Sequence, residues 1–249
     1  MNLLLDLGNT RLKWAWCDAN DLGVRGAVAH GEPDWAAQLR PAWRDCAAPE
    51  SVWLAVVGPE PAATALESVV ASIWPGIAVR RVVSPAAAAG VVNAYAEPAR
   101  LGVDRFLAML GARGILDTAV VVAGCGTALA IDLMDAEGRH HGGVIAPSPP
   151  RMREAVLNST ARVAARAQVL PATLGRSTEA GLESGCWLAA AALIDRIVDD
   201  AAIALGQLPR LLLHGGDAPR IAALLRHRAS LVPDLVLAGL ARWTTLHRD

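Results

Sequence analysis

Asp6-Leu7-Gly8-Asn9-Thr10 sets a carboxylate, a residue without a side chain, an amide and a hydroxyl within five consecutive positions. Such a set suits phosphoryl transfer, which needs donors for phosphate oxygens, a ligand for the neutralising metal and a group that orients the nucleophile. Gly8 lets the backbone approach a phosphate, and the Asn9 amide and Thr10 hydroxyl can donate to its oxygens. Asp6 can hold magnesium directly or through water. Lys13, the only lysine in the chain, lies three residues beyond Thr10 and can reach phosphate as a point charge. The same stretch also reads as a plain hairpin, because Gly-Asn is a common turn and Asp a common strand-end residue.

Two later turns resemble the first in composition. Gly124-Cys125-Gly126-Thr127-Ala128 leaves room for phosphates, with the Thr127 hydroxyl as donor, and is followed by Asp132 in an otherwise apolar stretch. A buried carboxylate is costly unless it is paired, protonated or bound to a cation. His214-Gly215-Gly216-Asp217 follows an apolar run and could lie under a nucleotide's sugar or base. The chain has no G-x-x-x-x-G-K-[ST] loop and no protein-kinase signature.

These turns need strands and helices to hold them. Asn2–Leu7 is a short apolar run, Leu12–Trp16 alternates, and Val24–His30 follows as a third strand candidate. Trp35–Trp43 and Pro61–Ile73 have helical spacing, with strands expected at Val52–Val57 and Ala78–Val83. A helix begins near Asp104. The pattern then restarts with strands at Ala119–Ala123, Ala128–Met134 and Gly142–Ala146. Helices follow around Pro149–Asn158 and Thr178–Leu205, then strand Arg210–His214, a helix Ala218–His227 and a last helix from Leu235. Strands alternating with helices argue for α/β layers, and each half opens strand–turn–strand. The expected division is residues 1–115 and 116–249, with the active site in a cleft between two lobes that exclude water.

Composition narrows the partners. The 249 residues are 53% hydrophobic, and the net charge of −1 leaves no electrostatic footprint for nucleic acid. Four scattered cysteines form neither a C-x-x-C pair nor a zinc pattern, and read as reduced thiols in a cytoplasmic protein. Met1 leads directly into a strand without a signal-peptide pattern. The apolar runs at Leu188–Ile194 and Ile197–Leu205 are broken by Asp195, Arg196, Asp199 and Asp200, so they read as a buried helix and no membrane span is expected.

Taken in order, the three turns resemble the phosphate-1, phosphate-2 and adenosine elements of the superfamily containing hexokinase, acetate kinase and actin. That implies two ribonuclease-H-like lobes. Between the first two turns, Asn93-Ala94-Tyr95, Pro98 and Leu101-Gly102-Val103-Asp104-Arg105 resemble the substrate signature of type III pantothenate kinases. Further matches are Gly142-Gly143-Val144-Ile145, Leu157 with Thr160-Ala161, Ser177-Thr178, and Leu237-Ala238-Gly239-Leu240. The resemblance spans residues 2 to about 242.

This resemblance implies ATP-dependent phosphorylation of (R)-pantothenate, with Asp104 as the general base. Tyr95, Gly102, Val103 and Arg105 would hold the substrate, the arginine engaging its carboxylate. Asp6 would carry magnesium, while Gly8, Asn9, Thr10, Lys13, Gly126, Thr127, Gly215 and Gly216 would line ATP. Asp132 would bind the monovalent cation, potassium or ammonium. Thr178 would reach substrate across a homodimer interface. Read locally, Asp104-Arg105 is also an ordinary helix N-terminus, and Tyr95 also suits a packing role.

Some positions depart from the family pattern. Gly124 stands where many members have an acid, Ala130 and His214 stand where threonine is usual, and Ser148 replaces a glycine after Pro147. His140-His141 reads as a solvated loop, and the eight tryptophans read as core or dimer packing. Two rival functions remain: another phosphotransferase or phosphohydrolase of the superfamily, and a regulatory relative tied to transcription.

Overall fold

The structure is a computed structural model that describes residues 1–159 and 174–247. The Thr160-Ala161 match lies outside the described residues. The chain divides into two compact units, Met1–Asp117 with Asp234–Asp249, and Thr118–Pro233. The second unit therefore stops short of the expected residue 249, and the terminal helix belongs to the first.

In the first unit, β1 (Asn2–Leu7) is buried on both faces because it is the central strand. It pairs antiparallel with β2 (Arg11–Asp18) and parallel with β4 (Ser51–Val56). The edges are β3 (Asp21–Ala29) and β5 (Val79–Arg81), giving the order β3-β2-β1-β4-β5. Between β3 and β4 lie a 3-10 turn, Trp35–Gln38, and α1 (Leu39–Trp43). α2 (Glu60–Ile73) starts on Pro59-Glu60-Pro61, where a proline in the first turn removes an N–H that has no helical partner.

Strand alternation sends Leu3, Leu5, Leu7, Leu12, Trp14 and Trp16 to one face. There they pack with Trp35, Trp43, Leu66, Val70 and Trp74. Trp14 meets Trp43 edge-on at 5.8 Å, Trp16 meets Trp74 at 5.7 Å, and Trp43 stacks on Trp74 at 6.0 Å. Five of the eight tryptophans thus build one core.

The other face is covered by α3 (Val103–Arg113) and α7 (Leu235–Leu246), which pack on each other. A side-chain carbon at Gly239 would collide with the Leu107 carbonyl, and one at Gly111 with the Leu235 carbonyl. Glycine at both positions lets the helix backbones touch. Before α3, a small hairpin joins β6 (Ala87–Ala88) to β7 (Val91–Val92). Its turn has φ of +43° at Ala89 and +82° at Gly90, the left-handed pair that suits a two-residue hairpin. The alanine run there carries no periodicity, so the hairpin is not legible in the sequence.

The second unit repeats the topology as β10-β9-β8-β11-β12. Its central strand β8 (Val120–Cys125) pairs antiparallel with β9 (Ala128–Met134) and parallel with β11 (Arg210–His214). The edges are β10 (His140–Pro147) and β12 (Ser230–Leu231). The 28-residue α5 (Thr178–Leu205) covers one face through Trp187, Ala190, Ile194 and Val198. α4 (Pro149–Ser159) lies against α5.

α6 runs only over Ala218–Ala222, shorter than the Ala218–His227 helix its spacing suggests. The buried Asp195 carboxylate takes the backbone N–H groups of Arg226 and His227 at 3.1–3.2 Å, which ties that segment to α5 instead. No helix among the described residues is long and apolar enough to cross a membrane.

Candidate active site

The chemistry-bearing residues of the first unit gather at the C-terminal end of β1. Asp6 lies opposite Lys13 in the β1–β2 ladder and beside Ala55 of β4. Its neighbours Leu5 and Leu7 fill the tryptophan core, so alternation turns Asp6 and Lys13 toward the face that α3 covers. Asp104, in the first turn of α3, is close enough to push on Asp6 electrostatically. Burial first, then the Asp104 carboxylate, raise the Asp6 carboxyl from its usual 3.8 to about 7, against the pull of Lys13.

Two carboxylates that repel at a desolvated point, with one lysine beside them, are a donor set in want of a dication. Magnesium is commonly held by one or two carboxylates plus substrate phosphates, so these residues fit it. Among the described residues no cluster of three or more His, Cys, Asp and Glu forms a metal cage.

The turn after Asp6 is held from three sides. The Gly8 N–H donates to the Arg11 carbonyl at 3.0 Å, closing the hairpin, while Asn9, Thr10 and Arg11 stay exposed. His30 Nε2 donates to the Gly8 carbonyl at 2.8 Å. Val57 and Gly58 both donate to the Leu7 carbonyl at 3.0 Å, and a side-chain carbon at Gly58 would collide with the Gly8 carbonyl. His30 and Gly58 shape the turn, yet neither stands out in the sequence; a glycine just after a strand was the only available signal.

Asp104 owes its position to Gly102, the residue that caps α3. A side-chain carbon on Gly102 would stand 2.7 Å from Asp104 Oδ1. The carboxylate therefore curls back over the helix start. Arg105 is buried and donates from Nη1 to the Tyr95 hydroxyl at 3.0 Å, with its guanidinium 5.9 Å from the ring centre. Asn93 fastens the segment: its Nδ2 donates to the carbonyls of Pro85 and Pro98, both at 3.1 Å, and its Oδ1 accepts from the Tyr95 N–H. The Ser84 hydroxyl donates to the Leu101 carbonyl at 2.8 Å. Val103 is buried, so it can offer a ligand only its backbone.

In the second unit the other two turns meet directly. Gly126 closes the β8–β9 turn by donating to the Ala128 carbonyl at 3.1 Å. The Asp217 N–H donates to the Cys125 carbonyl at 3.1 Å, and Gly215, at φ +98°, lies so close to that carbonyl that no side chain fits. In front of Gly126 and Gly216 there is open space where a side-chain carbon would otherwise sit, which is the room a nucleotide needs. Burial, with Asp217 beside it, pushes the Cys125 thiol up to about 12, so this cysteine is no nucleophile. Thr178 is exposed at the start of α5, where Ser177 caps the helix by accepting from the Ala180 N–H at 3.2 Å.

Asp132 departs from expectation. His140 is not in a solvated loop; it opens β10 and is buried, with Nε2 2.9 Å from Asp132 Oδ1 and side-chain exposures of 0% and 4%. The bulge between His140 and Gly143 re-aims that end of β10. His141 is the half-exposed member, 2.8 Å from Asp135.

A family model described as type III pantothenate kinase matches residues 2–200. The type III pantothenate kinase of Xanthomonas campestris pv. campestris strain B100 is 48% identical, over 97% of this chain and 96% of its own. A conserved Campylobacter jejuni protein assigned to the Baf family of transcriptional activators has a similar structure, with a TM-score of 0.59 at 19% identity, covering 98% of both chains. The acetate kinase of Entamoeba histolytica reaches 0.54 at 8% identity over 98% of this chain and 99% of its own. At such identities the structural likeness speaks for the fold alone: mixed α/β, of the actin and hexokinase type.

Proposed function

The chain belongs to the type III pantothenate kinase family, and from that premise we propose that it transfers the γ-phosphate of ATP to the terminal hydroxyl of (R)-pantothenate, the first step toward coenzyme A. The observation that carries the reading is the Asp104 carboxylate, curled over Gly102 beside the Arg105–Tyr95 pair and within electrostatic reach of Asp6.

In this reading Asp104 accepts a hydrogen bond from the attacking hydroxyl and takes its proton as the new oxygen–phosphorus bond forms and the bond from the γ-phosphorus to the β–γ bridging oxygen breaks, releasing ADP. Arg105 and Tyr95 hold the carboxylate end of pantothenate, with the backbone of Gly102 and Val103 beside them. Gly8, Asn9, Thr10, Lys13, Gly126 and Thr127 hold phosphate oxygens, and Gly215 and Gly216 line the adenosine. Magnesium, when bound, neutralises phosphate charge and is carried by Asp6. The active protein is a cytoplasmic homodimer in which the partner subunit's Thr178 reaches pantothenate.

The monovalent cation expected at Asp132 does not fit the residues around it. One carboxylate oxygen is engaged by His140, and the cross-strand neighbours are Val122 and Gly143, which bring no side-chain oxygen. No step is assigned to that cation.

Purified protein incubated with ATP, magnesium and potassium chloride is expected to convert pantothenate, and not acetate or N-acetylglucosamine, to a monophosphate detected by mass spectrometry. No turnover of pantothenate would overturn the assignment. Asp104→Asn is expected to lower kcat by about 10²-fold or more with an unchanged circular dichroism spectrum, the range for losing a general base. Near-normal activity in that variant would remove Asp104 from the mechanism.

A further inference from the structure

Three positions that depart from the family pattern stand in one line. His214, Gly124 and Ala130 are direct cross-strand partners on β11, β8 and β9. Their neighbours Leu213, Ala123, Cys125, Leu129 and Ile131 point into the core under α5, so alternation turns the row itself to the opposite face. On that face Gly124 contributes no side chain and Ala130 only a methyl group.

The imidazole of His214 uses the space they leave. Its Nε2 and Cε1 stand 3.0 and 3.1 Å from the point where a side-chain carbon of residue 124 would be. Any larger residue at 124 would have to displace the ring. The polar edge of the imidazole therefore occupies the start of the path that an acidic side chain at 124 would follow.

The position matters because both nucleotide turns begin there. Gly124 immediately precedes Cys125–Thr127, and His214 immediately precedes Gly215, whose backbone rests on the Cys125 carbonyl. A potassium or ammonium ion at this spot would need several oxygen ligands. In side chains the row offers only a methyl group and a ring nitrogen, with the Ala130 carbonyl oxygen 3.8 Å from where a carbon at 124 would stand, and one oxygen of Asp132, further along the same face, is engaged by His140. An imidazole N–H can instead give a nucleotide phosphate the positive dipole that a bound cation would give it, with the donor fixed to the fold.

We propose that His214 is a nucleotide-binding residue that takes the place of a monovalent cation at the second phosphate turn, so that this kinase works without potassium or ammonium. The proposal rests on the reading of the chain as an ATP-dependent kinase. The test uses the full chain in potassium, ammonium, sodium and choline chloride at equal ionic strength. Binding of a non-hydrolysable ATP analogue with magnesium is measured by calorimetry, and pantothenate phosphorylation is measured alongside.

For the wild type, dissociation constants and kcat within about twofold of one another across the four salts are expected. His214→Ala should weaken analogue binding about tenfold and raise KM for ATP while leaving KM for pantothenate unchanged, the scale of one charge-assisted hydrogen bond lost. His214→Gln, which keeps a donor, should bind within about threefold of wild type. A purely structural histidine would instead lower the melting temperature of both variants without separating their ATP affinities. A tenfold loss of wild-type binding or turnover in sodium and choline would overturn the proposal, as would His214→Ala binding the analogue like wild type. Salt-independent analogue binding without pantothenate turnover in any salt would sink the pantothenate reading and leave the His214 assignment standing.

Discussion

Asp6 is held in a state that works against the stability of the fold. Its carboxyl is raised to about 7 in the fold against 3.8 for the ordinary side chain, chiefly by burial and then by Asp104. For an acid raised in this way, the penalty is absent below pH ~4, grows as pH rises between the two values and is full above pH ~7. Asp6→Asn is therefore expected to stabilise the nucleotide-free protein at pH 8, by an amount on the order of 2 kcal/mol, and to have little effect at pH 4. Urea denaturation at the two pH values checks this; equal effects at both would mean the carboxylate is not strained. The same variant should lose magnesium-dependent ATP binding, since the group that destabilises the fold is the one proposed to hold the metal.

Among the elements, the segment joining β4 to α2 backs the Gly8–Thr10 turn. Gly58 lies so close to the Gly8 carbonyl that a methyl group would collide with it, and His30 holds the same carbonyl from β3's end. Gly58→Ala is expected to push the Gly8–Thr10 turn outward and raise KM for ATP about tenfold. The accompanying stability loss should be ~1–3 kcal/mol, the usual scale for overpacking. Steady-state kinetics with ATP and with pantothenate varied in turn distinguish a local effect on the turn from general unfolding, which would move kcat and both KM values together.

For the whole chain, the last helix returns to complete the unit with which the chain begins. α7 packs on α3 through Gly111 and Gly239, and Asp234 at its start is bonded to Arg25 of β3 at 2.7 Å. A chain ending at Pro233 should leave the inner face of α3 bare, and with it the helix that carries Asp104. Loss of the near-ultraviolet tryptophan signal and of cooperative unfolding is expected. A truncated chain that still melts cooperatively with ordered tryptophans would show that α7 is dispensable.

Local patterns carried much of this molecule. The apolar runs Asn2–Leu7 and Ala119–Ala123 could hardly be other than central strands, and the spacing of Thr178–Leu205 is observed as one helix. Strand–turn–strand at the head of each half foretold the repeated sheet order, because a short turn between alternating runs permits little besides an antiparallel pair. Gly8–Thr10 and Leu101–Arg105 were legible as motifs for the same reason: their residue types act through neighbours close in sequence.

What needed the tertiary structure was every relation between residues distant along the chain. The partnership of Asp132 with His140 depends on a bulge in β10, and a residue pair cannot announce a bulge. Return of α7 to the first unit depends on two glycines 128 residues apart that let helices touch. The row of His214, Gly124 and Ala130 exists only through strand register, which turns three separate oddities of sequence into one packed site.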